Sequence, residues 1–173
     1  MLIAMAGLPG TGKSTLAGHI GARLGAAVVS VDPIEAAILT AGIDRDQPTG
    51  LAAYLVAETI AQSVLSAGQT IVVDAVNAVG PAREQWVALA ERAGVPLRFV
   101  ETTCSDHQLH RERLEARVRL VPEIAEPTRH AVEQSLEEYG QWEGVSATVP
   151  RLSVDTAKPV ETNVASAIAF LAG

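Results

Sequence analysis

One stretch near the start of the chain, Gly7–Ser14 with the sequence GLPGTGKS, restricts the possible folds more than any other feature. The apolar run Leu2–Ala6 precedes this stretch, and the helical pattern Ser14–Leu24 follows it. A turn that contains three glycines can bring backbone N–H groups very close to a ligand, because glycine has no Cβ. The stretch matches G-x-x-x-x-G-K-[ST] at every position, and this pattern between a strand and a helix indicates a phosphate-binding loop.

Phosphate binding also explains the residue types in the loop. Backbone N–H groups and the N-terminus of the following helix attract an anion. Lys13, one of the two lysines in the chain, is expected to contact the β- and γ-phosphates, and Ser14 is expected to bind Mg²⁺ through its hydroxyl. The residues predicted to contact the nucleotide are Gly7, Gly10, Thr11, Gly12, Lys13, Ser14 and Thr15. The alternative is a glycine-rich turn that leads into a helix and carries a surface lysine.

Apolar runs alternate with helical patterns along the 173 residues. The predicted strands are Leu2–Ala6, Ala26–Val31, Thr70–Val73, Leu97–Thr102 and Arg151–Val154. The predicted helices are Ser14–Leu24, Thr49–Ala67, Pro81–Ala93, Asp106–Val121, Arg129–Trp142 and Val160–Leu171. Near-continuous apolar strands between helices are typical of an α/β protein with a parallel sheet buried on both faces. This length predicts one domain, residues 1–173, in which residues from about 111 to 130 could form a lid.

Charge and cysteine content limit the expected partners and location. The net charge of −7 disfavours broad binding to nucleic acid or an anionic membrane, although a local basic patch would still allow nucleic acid to bind. No stretch approaches 18 uninterrupted apolar residues, so no contact with a membrane is expected. The single cysteine, Cys104, excludes an internal disulfide and is typical of a reducing compartment, so a cytoplasmic protein is predicted. These features predict neither a monomer nor an oligomer.

Two aspartates follow predicted strands, where the ligand crevice of a parallel sheet opens. Asp74 ends the third strand and is expected to hold Mg²⁺ directly or through water; the alternative is a turn or helix cap. Asp32 ends the second strand and could accept the proton of an attacking hydroxyl; the alternative is a cap for the helix that Pro33 begins. An N-K-x-D tetrapeptide, which would specify guanine, is absent, and this favours ATP.

Five of the eleven arginines lie between Arg111 and Arg129. Arg113 and Arg117 share a helical face on which neither has a glutamate four residues away. Phosphoryl transfer needs positive charge near the γ-phosphate oxygens, and arginines on a lid can supply it. The alternative is a solvated helix of mixed charge.

With these motifs the chain resembles the P-loop kinases that include polynucleotide kinase, zeta toxins and chloramphenicol phosphotransferase. The resemblance rests on four segments: GLPGTGKSTLA, SVD, VVDAVN and CSDHQLHRERLEARVR. It implies a three-layer P-loop NTPase fold with parallel strand order 2-3-1-4-5 and a helical lid, as in nucleoside monophosphate kinases. It also implies that Lys13 and Ser14 belong to the nucleotide site, that Asp32 is the general base, and that Arg117 and Arg113 are lid arginines.

The resemblance favours an ATP- and Mg²⁺-dependent kinase that acts on a hydroxyl of a small molecule. A 5′-hydroxyl polynucleotide kinase used in nucleic-acid repair is the second possibility, and an ATP-binding regulatory switch is the third. Polynucleotide kinase has an arginine three residues after its catalytic aspartate, where this chain has Glu35, and this difference disfavours a polynucleotide. Asn77 could orient substrate or close a turn, whereas Arg83 is expected at the surface of a helix.

Overall fold

The structure is a computed structural model that describes residues 1–44, 46–116 and 139–173, together with the backbone of residues 117–120. Its five strands are β1 (Leu2–Ala6), β2 (Ala27–Ser30), β3 (Ile71–Asp74), β4 (Leu97–Thr103) and β5 (Arg151–Asp155). They form one parallel sheet in the order β2-β3-β1-β4-β5. The α/β fold that the sequence predicts, and the strand order 2-3-1-4-5 that the family resemblance implies, are therefore confirmed.

Helices connect the strands and cover both faces of the sheet. They are α1 (Lys13–Leu24), α2 (Val31–Thr40), α3 (Thr49–Ser66), α4 (Gly80–Ala93), α5 (His107–Leu120) and α6 (Val160–Ala172), and a short 3₁₀ helix spans Val145–Thr148. Alternate residues of β1 point to opposite faces. Leu2 and Ala4 belong to a hydrophobic cluster that includes residues of α3 and α4. Ile3 and Met5 belong to a second hydrophobic cluster, which includes residues of α1 and α6. All five residues of β1 are buried, as expected for the central strand.

Two segments differ from the sequence prediction. The last residues of the predicted helix Arg129–Trp142, from Tyr139 onward, are not helical, and the rest of that helix lies outside the described residues. The second strand ends at Ser30, and α2 begins directly at Val31. The predicted lid is described only over its first part, as α5. Within the described part of the chain, no helix is both long enough and apolar enough to cross a membrane.

Parallel strands bring their carboxyl ends to one edge of the sheet. At this edge β1 leads into the glycine-rich loop, β2 leads into α2, and β3 ends at Asp74. The glycine-rich loop, Asp32 at the start of α2, and Asp74 therefore lie at the same edge of the sheet.

Candidate active site

The glycine-rich loop follows β1 directly and has the backbone conformation that its glycines predict. Gly7, Gly10 and Gly12 have φ values of 134°, 79° and 82°, in the region that L side chains rarely adopt. A Cβ on Gly7 would lie 2.4 Å from the carbonyl oxygen of Thr102, so no side chain fits between the loop and β4. Lys13 is only 7% exposed, and its ammonium donates to the carbonyl of Leu8 at 2.8 Å. Lys13 is therefore not the surface lysine of the alternative interpretation.

A cavity of about 640 Å³ opens at this loop. It is lined by loop and α1 residues, by the ends of β2 and β3, and by residues of α5 and of the β5–α6 connection. The predicted site residues on its wall are Gly10, Gly12, Lys13, Ser14, Thr15, Asp32, Asp74 and Arg113. Five separate segments of the sequence thus contribute polar or charged groups to one space, and the predicted phosphate, metal and base residues share it.

Asp74 is the last residue of β3 and is 5% exposed. Its Oδ2 accepts a hydrogen bond from the Ser30 hydroxyl at 3.0 Å across the β2–β3 pair. Asp74 belongs to a strand, and the N-cap of α4 is Val79, so Asp74 is neither a turn residue nor a helix cap. The Asp74 carboxylate and the Ser14 hydroxyl line the same cavity and are the hard oxygen donors that Mg²⁺ prefers. The residues present therefore fit a magnesium ion at this point.

Asp32 lies in the first turn of α2 and lines the cavity. The N-cap position of α2 is occupied by Ser30, two residues before Asp32. An acidic residue in the first turn stabilises a helix through its dipole, but this effect does not require the carboxylate to lie in a cavity.

One hydrogen bond joins α2 to α3 near these carboxylates, and another joins α3 to the loop after β3. Glu35 accepts a hydrogen bond from the Thr49 hydroxyl at 2.8 Å, which ties α2 to the start of α3. The Tyr54 hydroxyl of α3 accepts the backbone N–H of Asn77 at 3.2 Å. Burial raises the pKa of Tyr54 to about 12, and the nearby charges of Asp32, Asp74 and Glu35 act in the same direction. Tyr54 is therefore a neutral hydrogen-bonding group throughout the physiological pH range.

Arg113 of α5 also lines the cavity. Its guanidinium donates to the hydroxyl of Thr156 at 2.8 Å and to the Thr156 carbonyl at 3.1 Å. The Thr156 hydroxyl in turn lies 2.9 Å from the carbonyl oxygen of Thr11 and 3.0 Å from that of Thr103. Arg113 is therefore coupled to the glycine-rich loop through one threonine. Arg117 lies one turn further along α5, and its side chain is outside the described residues.

Two contacts between α5 and the glycine-rich loop were not predicted from the sequence. The Nε2 of His110 lies 2.7 Å from the carbonyl oxygen of Pro9, and because a carbonyl only accepts, this nitrogen carries the proton. The Leu114 side chain covers Gly10 so closely that a Cβ there would lie 2.9 Å from Leu114 Cδ2. His110, Arg113 and Leu114 have the i, i+3, i+4 spacing of one helical face, and this was the available signal.

The prediction that Arg83 lies at the surface is wrong. Arg83 is 0% exposed, and its guanidinium donates to four backbone carbonyls. The distances are 2.8 Å to Asn77, 2.7 Å to Ala78, 2.9 Å to Gly140 and 3.0 Å to Gln141. Burial lowers the pKa of Arg83 from its ordinary value. This arginine joins the loop after β3 to the segment that begins at Tyr139.

Asn77 closes the turn after β3. It has a φ of 50° and is 0% exposed. Its side-chain amide donates to the carbonyl of Met5 at 2.6 Å and accepts the indole N–H of Trp86 at 2.8 Å. These contacts occupy the amide within the core, which agrees with the turn interpretation of Asn77.

Trp86 is fully buried and Cys104 half-buried, and Trp142 packs edge-on against Phe99.

The sheet order and the loop after β1 place the chain among P-loop NTPases with a kinase-like sheet. A family model matches residues 2–141, and the chain belongs to this family, AAA_33, described as an AAA domain. No curated protein matches the chain significantly in sequence. The narrower resemblance to polynucleotide kinase, zeta toxins and chloramphenicol phosphotransferase stays a prediction.

Solved structures share the fold over nearly the whole chain. A candidate kinase from Chloroflexus aurantiacus has a TM-score of 0.76 and 20% identity, with 98% of this chain and 97% of that chain covered. Chaetomium thermophilum Kti12 in complex with ADP-AlF3 has a TM-score of 0.75 and 18% identity, with both chains fully covered. A sugar kinase from Janibacter has a TM-score of 0.70 and 16% identity, with 99% and 94% covered. At these identities the likeness concerns the fold.

Proposed function

We propose that this protein is a kinase that transfers the γ-phosphate of ATP to a hydroxyl group of a small molecule. The observation that carries the proposal is that Asp32 lines the same cavity as Lys13 and Ser14 of the glycine-rich loop. A phosphate-binding loop alone would fit motors, switches and kinases equally well. A carboxylate in the same cavity supplies the proton acceptor that transfer to a hydroxyl requires.

The loop residues and two oxygen ligands would hold the nucleotide and its metal. Backbone N–H groups of Gly10 and Gly12 and the Lys13 ammonium would bind the phosphates, and Ser14 and Asp74 would hold Mg²⁺. When bound, Mg²⁺ neutralises negative charge on the phosphates. The likeness in fold to Kti12, which was solved with ADP-AlF3, supports nucleotide binding at this loop.

The transfer step assigns a separate role to each charged side chain. The acceptor hydroxyl oxygen forms a bond to the γ-phosphorus, the bond from that phosphorus to the β–γ bridging oxygen breaks, and its electron pair leaves on ADP. The hydroxyl proton moves to the Asp32 carboxylate. Arg113 and Arg117 supply positive charge for the phosphoryl oxygens. The hydrogen bonds of Arg113 to Thr156 support this role, because they hold its guanidinium on the wall of the cavity.

The acceptor is proposed to be neutral or cationic. The carboxylates of Asp32 and Asp74 line the cavity, and Glu35 lies one turn after Asp32 on α2. A second phosphate, as in a polynucleotide, would be repelled there.

A mass-spectrometric screen tests the proposal. The purified protein is incubated with ATP, Mg²⁺ and a panel of antibiotics, nucleosides, sugars and oligonucleotides, and each compound is examined for gain of one phosphate. We expect one class of small hydroxyl compounds to gain phosphate with ATP and less with GTP, and Lys13→Ala to abolish the gain. Full activity in Lys13→Ala would contradict the role of the loop. Tight ATP binding without phosphorylation of any compound would favour the regulatory switch.

A further inference from the structure

The glycine-rich loop contains a tight turn near its start. The backbone N–H of Thr11 donates to the carbonyl of Leu8 at 3.3 Å, which closes a four-residue β-turn. Pro9 and Gly10 are the two central residues of this turn, and Gly10 has a φ of 79°. A positive φ at the third residue, with proline at the second, is typical of a type II turn. The turn therefore has the features of type II.

The sequence of this turn does not by itself fix the orientation of the Pro9–Gly10 peptide. Type I and type II turns differ mainly in their central peptide, which is rotated by about 180° between the two types. Proline fits the second position of both types, and glycine can adopt the φ that either type requires at the third. A contact from outside the turn can therefore decide which way the central peptide faces.

His110 of α5 holds the carbonyl end of this peptide. Its Nε2 donates to the carbonyl oxygen of Pro9 at 2.7 Å. The peptide is trans, and in a planar trans peptide the N–H points away from the carbonyl. Of these three described residues, Gly10 lines the cavity, whereas Pro9 and His110 do not. The N–H of Gly10 is therefore directed away from His110, and it belongs to the residue that borders the cavity.

Contacts on both sides of His110 hold α5 against the loop. Asp106 precedes the helix, and its Oδ1 accepts two backbone N–H groups of the first turn at 3.0 Å each, as an N-terminal cap does. Leu114 lies one turn after His110 and packs on Gly10, where a Cβ would lie 2.9 Å from Leu114 Cδ2. The imidazole of His110 therefore reaches the turn from a helix that is itself held in place.

We propose that His110 is a positioning residue for phosphate binding, because its hydrogen bond to Pro9 selects the turn in which the N–H of Gly10 faces the phosphates. The proposal rests on the proposed function, which assigns phosphate binding to the glycine-rich loop. In the other turn type the carbonyl of Pro9 would take the place of this N–H, and an oxygen with a partial negative charge would face an anion. His110 contacts no phosphate in this role, since it acts through the backbone of the loop.

The alternative is that the hydrogen bond between His110 and Pro9 only ties α5 to the loop. The two roles differ in what a variant changes. Loss of a tie that only stabilises the fold lowers the Tm but leaves the phosphate affinity of the folded protein unchanged. Loss of a contact that selects the turn lowers the fraction of molecules with a binding-competent loop, and the apparent Kd rises by the inverse of that fraction.

Calorimetric titration of the complete chain with ADP and Mg²⁺ tests the proposal. His110→Phe keeps a planar ring without a donor and should raise the Kd for ADP about 5- to 10-fold, the equivalent of one lost hydrogen bond. His110→Gln keeps an N–H donor and should stay within about 3-fold of the wild type. His107→Phe is the matched control, because His107 is an exposed histidine of the same helix, and it should leave the Kd unchanged. Circular dichroism verifies that each variant is folded, and His110→Ala replaces His110→Phe if the latter unfolds.

Two ligands that each contain one part of ADP locate the effect. Inorganic pyrophosphate and adenosine are titrated by displacement of a fluorescent ADP analogue. We expect His110→Phe to weaken the binding of pyrophosphate by the same factor as that of ADP and to leave the binding of adenosine unchanged. Equal Kd values for ADP in His110→Phe and His107→Phe would overturn the proposal and leave the proposed function standing, as would equal losses for pyrophosphate and adenosine. A wild type that binds no ADP would contradict the proposed function as well.

Discussion

The buried arginine of α4 allows a stability prediction that can be worked out from its contacts. Arg83→Met keeps an unbranched apolar stem but removes the guanidinium, which donates to the carbonyls of Asn77, Ala78, Gly140 and Gln141. The substitution also removes a cation that lies 4.2 Å from the centre of the Trp142 ring.

The expected loss is a large part of the stability of the protein. Each bond from a charged donor contributes about 1.5–3 kcal/mol, but the four bonds share one side chain whose burial costs solvation energy, so their contributions do not add. Removing one partner from a buried charged network typically costs about 3–5 kcal/mol. A domain of this size is stable by about 5–15 kcal/mol, and its Tm falls by roughly 2–4 °C for each kcal/mol lost. We therefore expect Arg83→Met to lower the Tm by roughly 6–20 °C.

A thermal melt followed by circular dichroism measures the fall in Tm, and urea unfolding measures the loss of free energy, with Arg92→Met as the matched control. Arg92 lies on the same helix, but its side chain is 54% exposed, so its pairing with Glu58 should contribute less than about 1 kcal/mol. Arg83→Lys should recover only part of the loss, because an ammonium cannot span four carbonyls as a planar guanidinium does. If Arg83→Met destabilises the protein no more than Arg92→Met does, the account of Arg83 is wrong.

Two further predictions concern charge. A 5′-hydroxyl oligonucleotide should bind the wild type weakly when binding is measured by fluorescence anisotropy. Glu35→Arg should improve this binding more than the control Glu35→Gln, which keeps a hydrogen-bond partner for Thr49. Tight binding of the oligonucleotide by the wild type would contradict this interpretation of Glu35. Hydrogen bonds from the hydroxyl and N–H of Ser105 and from the N–H of Ala157 lower the pKa of Asp155 to about 2. This folded-state pKa lies below the unfolded value of about 3.9, so the carboxylate stabilises the fold above pH ~4 and that stabilisation is lost as the pH falls toward 2. In urea unfolding between pH 2 and pH 5, Asp155→Asn should therefore show a weaker decrease in stability than the wild type, and an unchanged pH dependence would contradict the assignment.

The features that could be predicted from the sequence are those that local pattern determines. The strands are continuous apolar runs, and Gly7–Ser14 has a composition that few other structures require, so both were recognisable before any contact was known. The observed strands differ from the predicted ones by at most one residue at either end. The strand order came from the resemblance to a family, because apolar runs do not determine how strands are arranged.

The features that could not be predicted depend on distant parts of the chain. Arg83 occupies the first turn of a helix, where an arginine is normally solvated, and two of its carbonyl partners lie 57 and 58 residues further along. His110 contacts the carbonyl of Pro9 across 101 residues.

The start of α2 was misplaced for a local reason. The run of valines continues to Val31, but the helix begins there, so Asp32 lies in a helix and does not follow a strand.

The rate of phosphoryl transfer in Asp32→Asn tests the central claim most directly. The measurement uses the acceptor found in the screen, with the affinity for ATP and a thermal melt measured on the same preparation. Asparagine keeps the size of the side chain but cannot accept the hydroxyl proton, so we expect kcat to fall by about 10²–10⁴ while ATP affinity and Tm change little. A kcat close to that of the wild type would contradict the account, because Asp32 would then have no part in the transfer and Asp74 would become the candidate base.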